Sequence, residues 1–99
     1  MLSLYVRFEL VPLTKGQFVF RLSELIKAMA KEPTFVSAVL CEDPSAEDKL
    51  VLFEVWNGTQ DEWLSEQPNK PYRAVYDEAT NGFVTHKEVR LLSPLLMRR

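Results

Sequence analysis

Residues 50–67 read LVLFEVWNGTQDEWLSEQ: an apolar strand ending in Glu54 and Trp56, a turn at Asn57-Gly58-Thr59, and a short helix carrying Trp63. Glu54 is the sole charge between Leu50 and Trp56, the pattern of a strand covered on both faces. Thr59 followed by Glu62 has the spacing of a capping box, so the helix opens there and runs to about Gln67, with Pro68 and Pro71 breaking it. Upstream, residues 34–42 are apolar on both alternating sets, with Phe35, Val39 and Cys41 on one and Val36, Ala38 and Leu40 on the other. The polar turn DPSAEDK at residues 43–49 joins the two strands as a hairpin.

The flanks extend the pattern. Leu2, Leu4, Val6, Phe8 and Leu10 alternate with Ser3, Tyr5, Arg7 and Glu9, the period of a strand with one buried face. Pro12 ends it, and Thr14 with Gln17 predicts a second capping box. Phe18, Leu22, Leu25, Ile26 and Met29 then recur at helical spacing up to about Lys31, where Glu32-Pro33 stops the helix. Beyond Pro71, Tyr72, Val75, Tyr76 and Ala79 are spaced for another helical piece that Asn81-Gly82 terminates, and residues 83–92 return to strand character. The order is β-α-β-β-α-β, the ferredoxin-like α+β arrangement with helices on one face of an antiparallel sheet. Residues 1–92 are expected to form one domain and 93–99 a C-terminal tail. Two helices bury one sheet face, yet the hairpin is apolar on both. The second face is therefore expected to meet a second copy in a homodimer, the alternative being scattered exposed apolar residues.

With 99 residues, 46% hydrophobic and 26% charged, the chain reads as an ordinary globular protein that extra burial through oligomerisation would help. A formal net charge of -2 makes no electrostatic case for nucleic acid or an anionic membrane. The alternating N-terminus has no uninterrupted apolar h-region, and no run approaches a membrane span. A single cysteine, Cys41, fits a reducing cytoplasm. No P-loop, dinucleotide fingerprint, nucleophile elbow or H-E-x-x-H motif occurs, so nucleotide-dependent chemistry is not expected.

The element order, the helix ending in Glu32-Pro33 and the run Leu52-Phe53-Glu54-Val55-Trp56 leading into an acidic, aromatic helix resemble the antibiotic biosynthesis monooxygenase family of dimeric α+β barrels. The resemblance implies a small homodimer with a ligand cavity between sheet and helices. It further implies oxidation of an aromatic phenol or quinol by molecular oxygen without metal or flavin, so no cofactor is expected. Where the family often has glycine after the Glu-Pro pair and histidine on the helix after the Glu-x-Trp strand, this chain has Thr34 and approximately Glu66. The haem-degrading branch looks to need asparagine on the first strand and a histidine in the helical region. Strand one offers Arg7 and the only histidine is His86 on the last strand, so haem degradation is disfavoured.

Glu54, Glu66 and His86 are the candidate bases for removing a phenolic proton. A buried carboxylate such as Glu54 must find a partner or shift its pKa upward; the structural alternative is an ion pair with Arg7 on the neighbouring strand. Arg7, Trp56, Trp63, Tyr72 and Tyr76 are the candidate substrate-binding residues. Each has a structural reading beside the functional one: the tryptophans as core, the tyrosines, one helical turn apart, as packing with exposed hydroxyls, and His86 as an edge-strand side chain. Lys70 and Arg73 fit a solvated helix face or an acidic substrate group. A lone histidine makes no metal site, and none is expected. Two functions follow, a cofactor-independent monooxygenase or a non-catalytic homodimeric module that binds a small ligand. What separates them is whether Trp56 and Trp63 fill the space between sheet and helices or surround it.

Overall fold

The computed structural model describes residues 1–98. Its elements run β1 (Leu2–Leu10), α1 (Lys15–Met29), β2 (Phe35–Glu42), β3 (Lys49–Trp56), α2 (Gln60–Glu66), a 3-10 turn (Gln67–Asn69), α3 (Pro71–Thr80) and β4 (Val84–Leu92). All pairings are antiparallel and the sheet order is β2-β3-β1-β4, the ferredoxin-like α+β fold. Arg99, the last residue of the expected tail, lies outside the described residues. Among the described residues no helix is long and apolar enough to cross a membrane.

Strand β1 sits between β3 and β4, and its even-numbered side chains, Leu2 through Leu10, are all buried beneath the helices. Helix α1 lays Phe18, Leu22, Leu25 and Met29 on that face, with the Phe18 ring 4.9 Å from Phe8; Ile26 flanks this stripe and stays half-buried. Each fully buried side chain of this size contributes roughly 1.5–3 kcal/mol, so this layer dominates the stability. The odd-numbered face holds Tyr5 edge-on to Phe53 at 5.7 Å, and Phe53 and Val39 remain exposed there.

Two local expectations need correction. Thr59 caps α2, its hydroxyl accepting the Glu62 N–H at 3.2 Å, but Thr14 makes no such bond. The Thr14 hydroxyl instead donates to the Val11 carbonyl at 2.6 Å, because the turn through Leu13, at φ 71, has already claimed it. The second correction concerns strand phase. A bulge at Val36 leaves Phe35 opposite Trp56 but Ser37 opposite Val55, so Phe35 joins Ala38 and Leu40 on the helix side while Val39 and Cys41 face away. A second bulge at Thr85 pairs Leu10 with Val84 but Glu9 with His86. Val84 and His86 therefore lie on opposite faces, although plain alternation places them together.

Glu32, of the Glu-Pro pair, fastens the end of α1 to the start of α3. Its carboxylate lies 3.3 Å from Lys70 Nζ and 3.1 Å from the Tyr72 hydroxyl. The crossing of α1 and α3 over the sheet is thereby held at one end by polar contacts and along its length by Phe18 against Tyr76, ring centroids 6.3 Å apart.

Candidate active site

Glu54 occupies the middle of β3, opposite Leu4 on β1 and Ala38 on β2, with its side chain on the helix face. That position follows from alternation: Leu50, Leu52, Glu54 and Trp56 form the buried set of the strand. A carboxylate that is 4% exposed among aliphatic neighbours needs a donor, and Trp56 supplies one, its Nε1–H donating to Glu54 Oε1 at 3.0 Å. Burial pushes the Glu54 pKa above its ordinary value of 4.5; the Trp56 hydrogen bond and the positive charges of Arg73 and Lys87 act against that rise without cancelling it.

Above Glu54 is a cavity of about 50 Å³ walled by Leu25, Leu52, Trp63, Arg73, Tyr76 and Lys87 among others. The two tryptophans divide the roles that were in question. Trp56 is 1% exposed, packs edge-on against Phe35 at 5.2 Å and fills core behind the cavity. Trp63, 6.4 Å from it, is half-buried and forms part of the cavity wall. The Trp63 indole N–H is buried without an acceptor among the described residues.

Arg73 lies over the Trp63 ring at 5.3 Å. Its Nε and Nη2 donate to Gln67 Oε1 at 3.3 and 3.2 Å, and Nη2 also lies 3.1 Å from Met29 Sδ. Gln67 is itself buried, and its Oε1 also lies 3.1 Å from the Tyr72 hydroxyl. Tyr76 sits at the cavity wall on the next turn of α3, and burial holds its phenol well above the usual range. On the other side of Tyr76 and Leu25, an outer groove of about 190 Å³ runs between α1 and α3. Those two side chains are the partition between groove and cavity.

The expected site residues thus divide. Glu54, Trp63 and Tyr76 meet at the cavity, and Trp56 supports it from behind. Tyr72 lines the outer groove, its hydroxyl turned to Glu32 and Gln67. Glu66 is exposed on α2 beside Thr34 and Asn57, outside the cavity. Arg7 and His86 are on the far face of the sheet, Arg7 lying 3.9 Å from Glu9 and His86 exposed opposite Glu9 on β1. The expected Arg7–Glu54 ion pair does not form, because Arg7 belongs to the odd set of β1 and Glu54 to the helix-facing set of β3.

Lys87 is the residue that sequence reasoning passed over, and Arg73, expected on a solvated helix face or at an acidic substrate group, lines the cavity. The signal for Lys87 was its phase, since Lys87, Val89 and Leu91 share the cavity face of β4 opposite Phe8, Val6 and Leu4. For Arg73 it was the three-residue spacing to Tyr76 on one helix face. Among the described residues no group of three His, Cys, Asp or Glu is placed to share a metal ion.

The family model for antibiotic biosynthesis monooxygenase matches residues 1–68. No curated protein matches the chain. Among solved structures, Rv0793 from Mycobacterium tuberculosis aligns with a TM-score of 0.84 at 23% identity, over 99% of this chain and 98% of that one. SnoaB from Streptomyces nogalater, a cofactor-independent oxygenase, aligns at 0.83 with 17% identity, over 97% of this chain and 94% of that one. PA3566 from Pseudomonas aeruginosa aligns at 0.83 with 16% identity, over 96% and 94% of the two chains. At such identities the structural likeness carries the fold.

Proposed function

Because the chain belongs to the antibiotic biosynthesis monooxygenase family, we propose that it is a cofactor-independent monooxygenase that oxidises an aromatic phenol or quinol with molecular oxygen. The observation that carries this reading is Glu54, a buried carboxylate of raised pKa facing an apolar cavity walled by Trp63 and Tyr76. The kinship in fold with SnoaB, a cofactor-independent oxygenase, supports the same class of chemistry.

In the proposed mechanism Glu54 takes the phenolic proton, its raised basicity bringing it nearer to the working pH. The electron-rich phenolate is the reductant. It transfers electrons to molecular oxygen, a carbon–oxygen bond forms at a ring carbon that bears hydrogen, and the peroxide so formed loses water to leave a carbonyl. One phenol and one dioxygen thus give one quinone and one water. The protein contributes desolvation and orientation. Leu25 and Tyr76 wall both the outer groove and the cavity.

The second reading, a non-catalytic module binding a small ligand, is favoured by one observation: the cavity of about 50 Å³ is well below the roughly 300 Å³ of ordinary ligand sites. Oxygen uptake with a panel of phenols and quinols separates the two. Turnover that falls by about 10²–10⁴-fold in Glu54→Gln and is unchanged in His86→Gln supports the enzyme. No uptake above a heat-killed control with any panel member leaves the binding module.

We also assign this chain to a homodimer built through the sheet face that carries Tyr5, Val39 and Phe53, since Val39 and Phe53 remain exposed there. The exposed thiol of Cys41 on the same face suits the reducing cytoplasm. Residues 1–92 act as one domain in this proposal, and 93–99 as its tail.

A further inference from the structure

We infer that the site takes an aromatic acid: a planar phenol that also bears a carboxylate, received by the guanidinium of Arg73. This rests on the cavity above Glu54 being the substrate site and names the class of substrate it takes. Arg73 is held in place by contacts that leave its charge unmatched. Its two hydrogen-bonding partners are the amide oxygen of Gln67 and the thioether of Met29, both neutral, and one of its faces is stacked on Trp63. Among the described residues no carboxylate lies within 4.0 Å of it; Lys27, Lys31, Lys87 and Arg98 share that lack but are exposed, so Arg73 alone is half-buried without one. A half-buried guanidinium fixed by neutral groups is a preorganised receptor for an anion, and its flat fork matches a carboxylate.

The charges around the cavity point the same way. Its charged lining is Arg73, Lys87 and Glu54, so two cations face one carboxylate even when Glu54 is ionised. A ligand carrying one fixed negative charge brings the site to neutrality and leaves Glu54 free to act on the phenolic hydroxyl. Trp63, already beneath the guanidinium, offers its indole to the ring of the same ligand.

Isothermal titration calorimetry of the full chain with 4-hydroxybenzoate and with its methyl ester tests this without relying on turnover. The acid should bind on the order of tenfold more tightly than the ester, and the preference should shrink at high salt. Arg73→Met should abolish the preference, and Arg73→Lys should keep part of it. An acid that does not bind, an acid and ester that bind alike, or a preference that survives in Arg73→Met overturns the assignment. Should Arg73→Met fail to fold, the wild-type comparison and Arg73→Lys decide. Oxygen uptake plays no part, so a chain that prefers the acid yet consumes no oxygen refutes the monooxygenase reading and leaves this one standing.

Discussion

The indole N–H of Trp56 donates to Glu54 across 3.0 Å between two side chains of the same strand, both almost wholly removed from water. Residues two apart on a strand share a face, so the Glu-x-Trp spacing itself brings the donor to the carboxylate. The tryptophan is thereby a positioning residue, fixing the carboxylate and favouring its ionised form.

Replacing Trp56 with Phe removes that donor while keeping most of the apolar volume. The Glu54 pKa should rise further, because the hydrogen bond is the largest influence now lowering it. The acid limb of the pH profile for kcat/KM should move to higher pH, and stability should fall by about 1–3 kcal/mol. Paired oxygen-uptake profiles and urea melts of both proteins measure the two effects.

Glu54→Gln should change the pH dependence of folding. With the folded pKa above the ordinary 4.5, the folded state of the wild type holds its proton longer than the unfolded chain. Stability that is present below 4.5 is lost as pH rises through the higher folded value. The glutamine variant has no such loss, so its stability relative to wild type should improve between pH 4 and pH 8. Equal differences at both ends would show that Glu54 keeps its ordinary pKa.

Tyr76 should be silent in an alkaline spectrophotometric titration until the chain unfolds, since burial raises its phenol well above 10.0. The unfolded chain releases that proton near 10.0, so stability is lost as pH climbs past it. Tyr76→Phe should blunt this alkaline destabilisation, visible in melting temperatures at pH 8 and pH 11. Tyr76→Ala should in addition merge groove and cavity, at about 3–5 kcal/mol, with a lower KM for substrates of two or more rings.

Phe53→Glu probes the sheet face. Phe53 is 45% exposed at its centre, between Tyr5 and Val39. Light scattering should give twice the chain mass for wild type and a single chain mass for the variant, with the fold retained by circular dichroism. A wild type that is monomeric at tens of micromolar removes the two-faced-sheet argument.

Much of this architecture was legible in the chain because it is local. The alternation of Leu2 through Leu10, the stripe from Phe18 to Met29 and the Thr59 cap are each written within one element, so periods of 2 and 3.6 reveal them directly. Glu54 was visible for the same reason, as a lone charge in an apolar strand. The Thr14 cap was misread because its hydroxyl is used by the preceding turn, a competition between neighbours that spacing does not express.

What the sequence by itself determined, then, is the set of elements, the burial of Glu54 and the membership of Trp56 and Trp63 in one junction. Tertiary structure alone decided which residues surround Glu54. Extra residues at Val36 and Thr85 shift the strand phase, and the second of these keeps His86 on the far face while Lys87 enters the cavity. The wall joins Leu25, Trp63, Arg73, Tyr76 and Lys87 from four separate elements. Contacts so distant along the chain are set by strand register and helix packing, which the periodicity of any one segment does not carry.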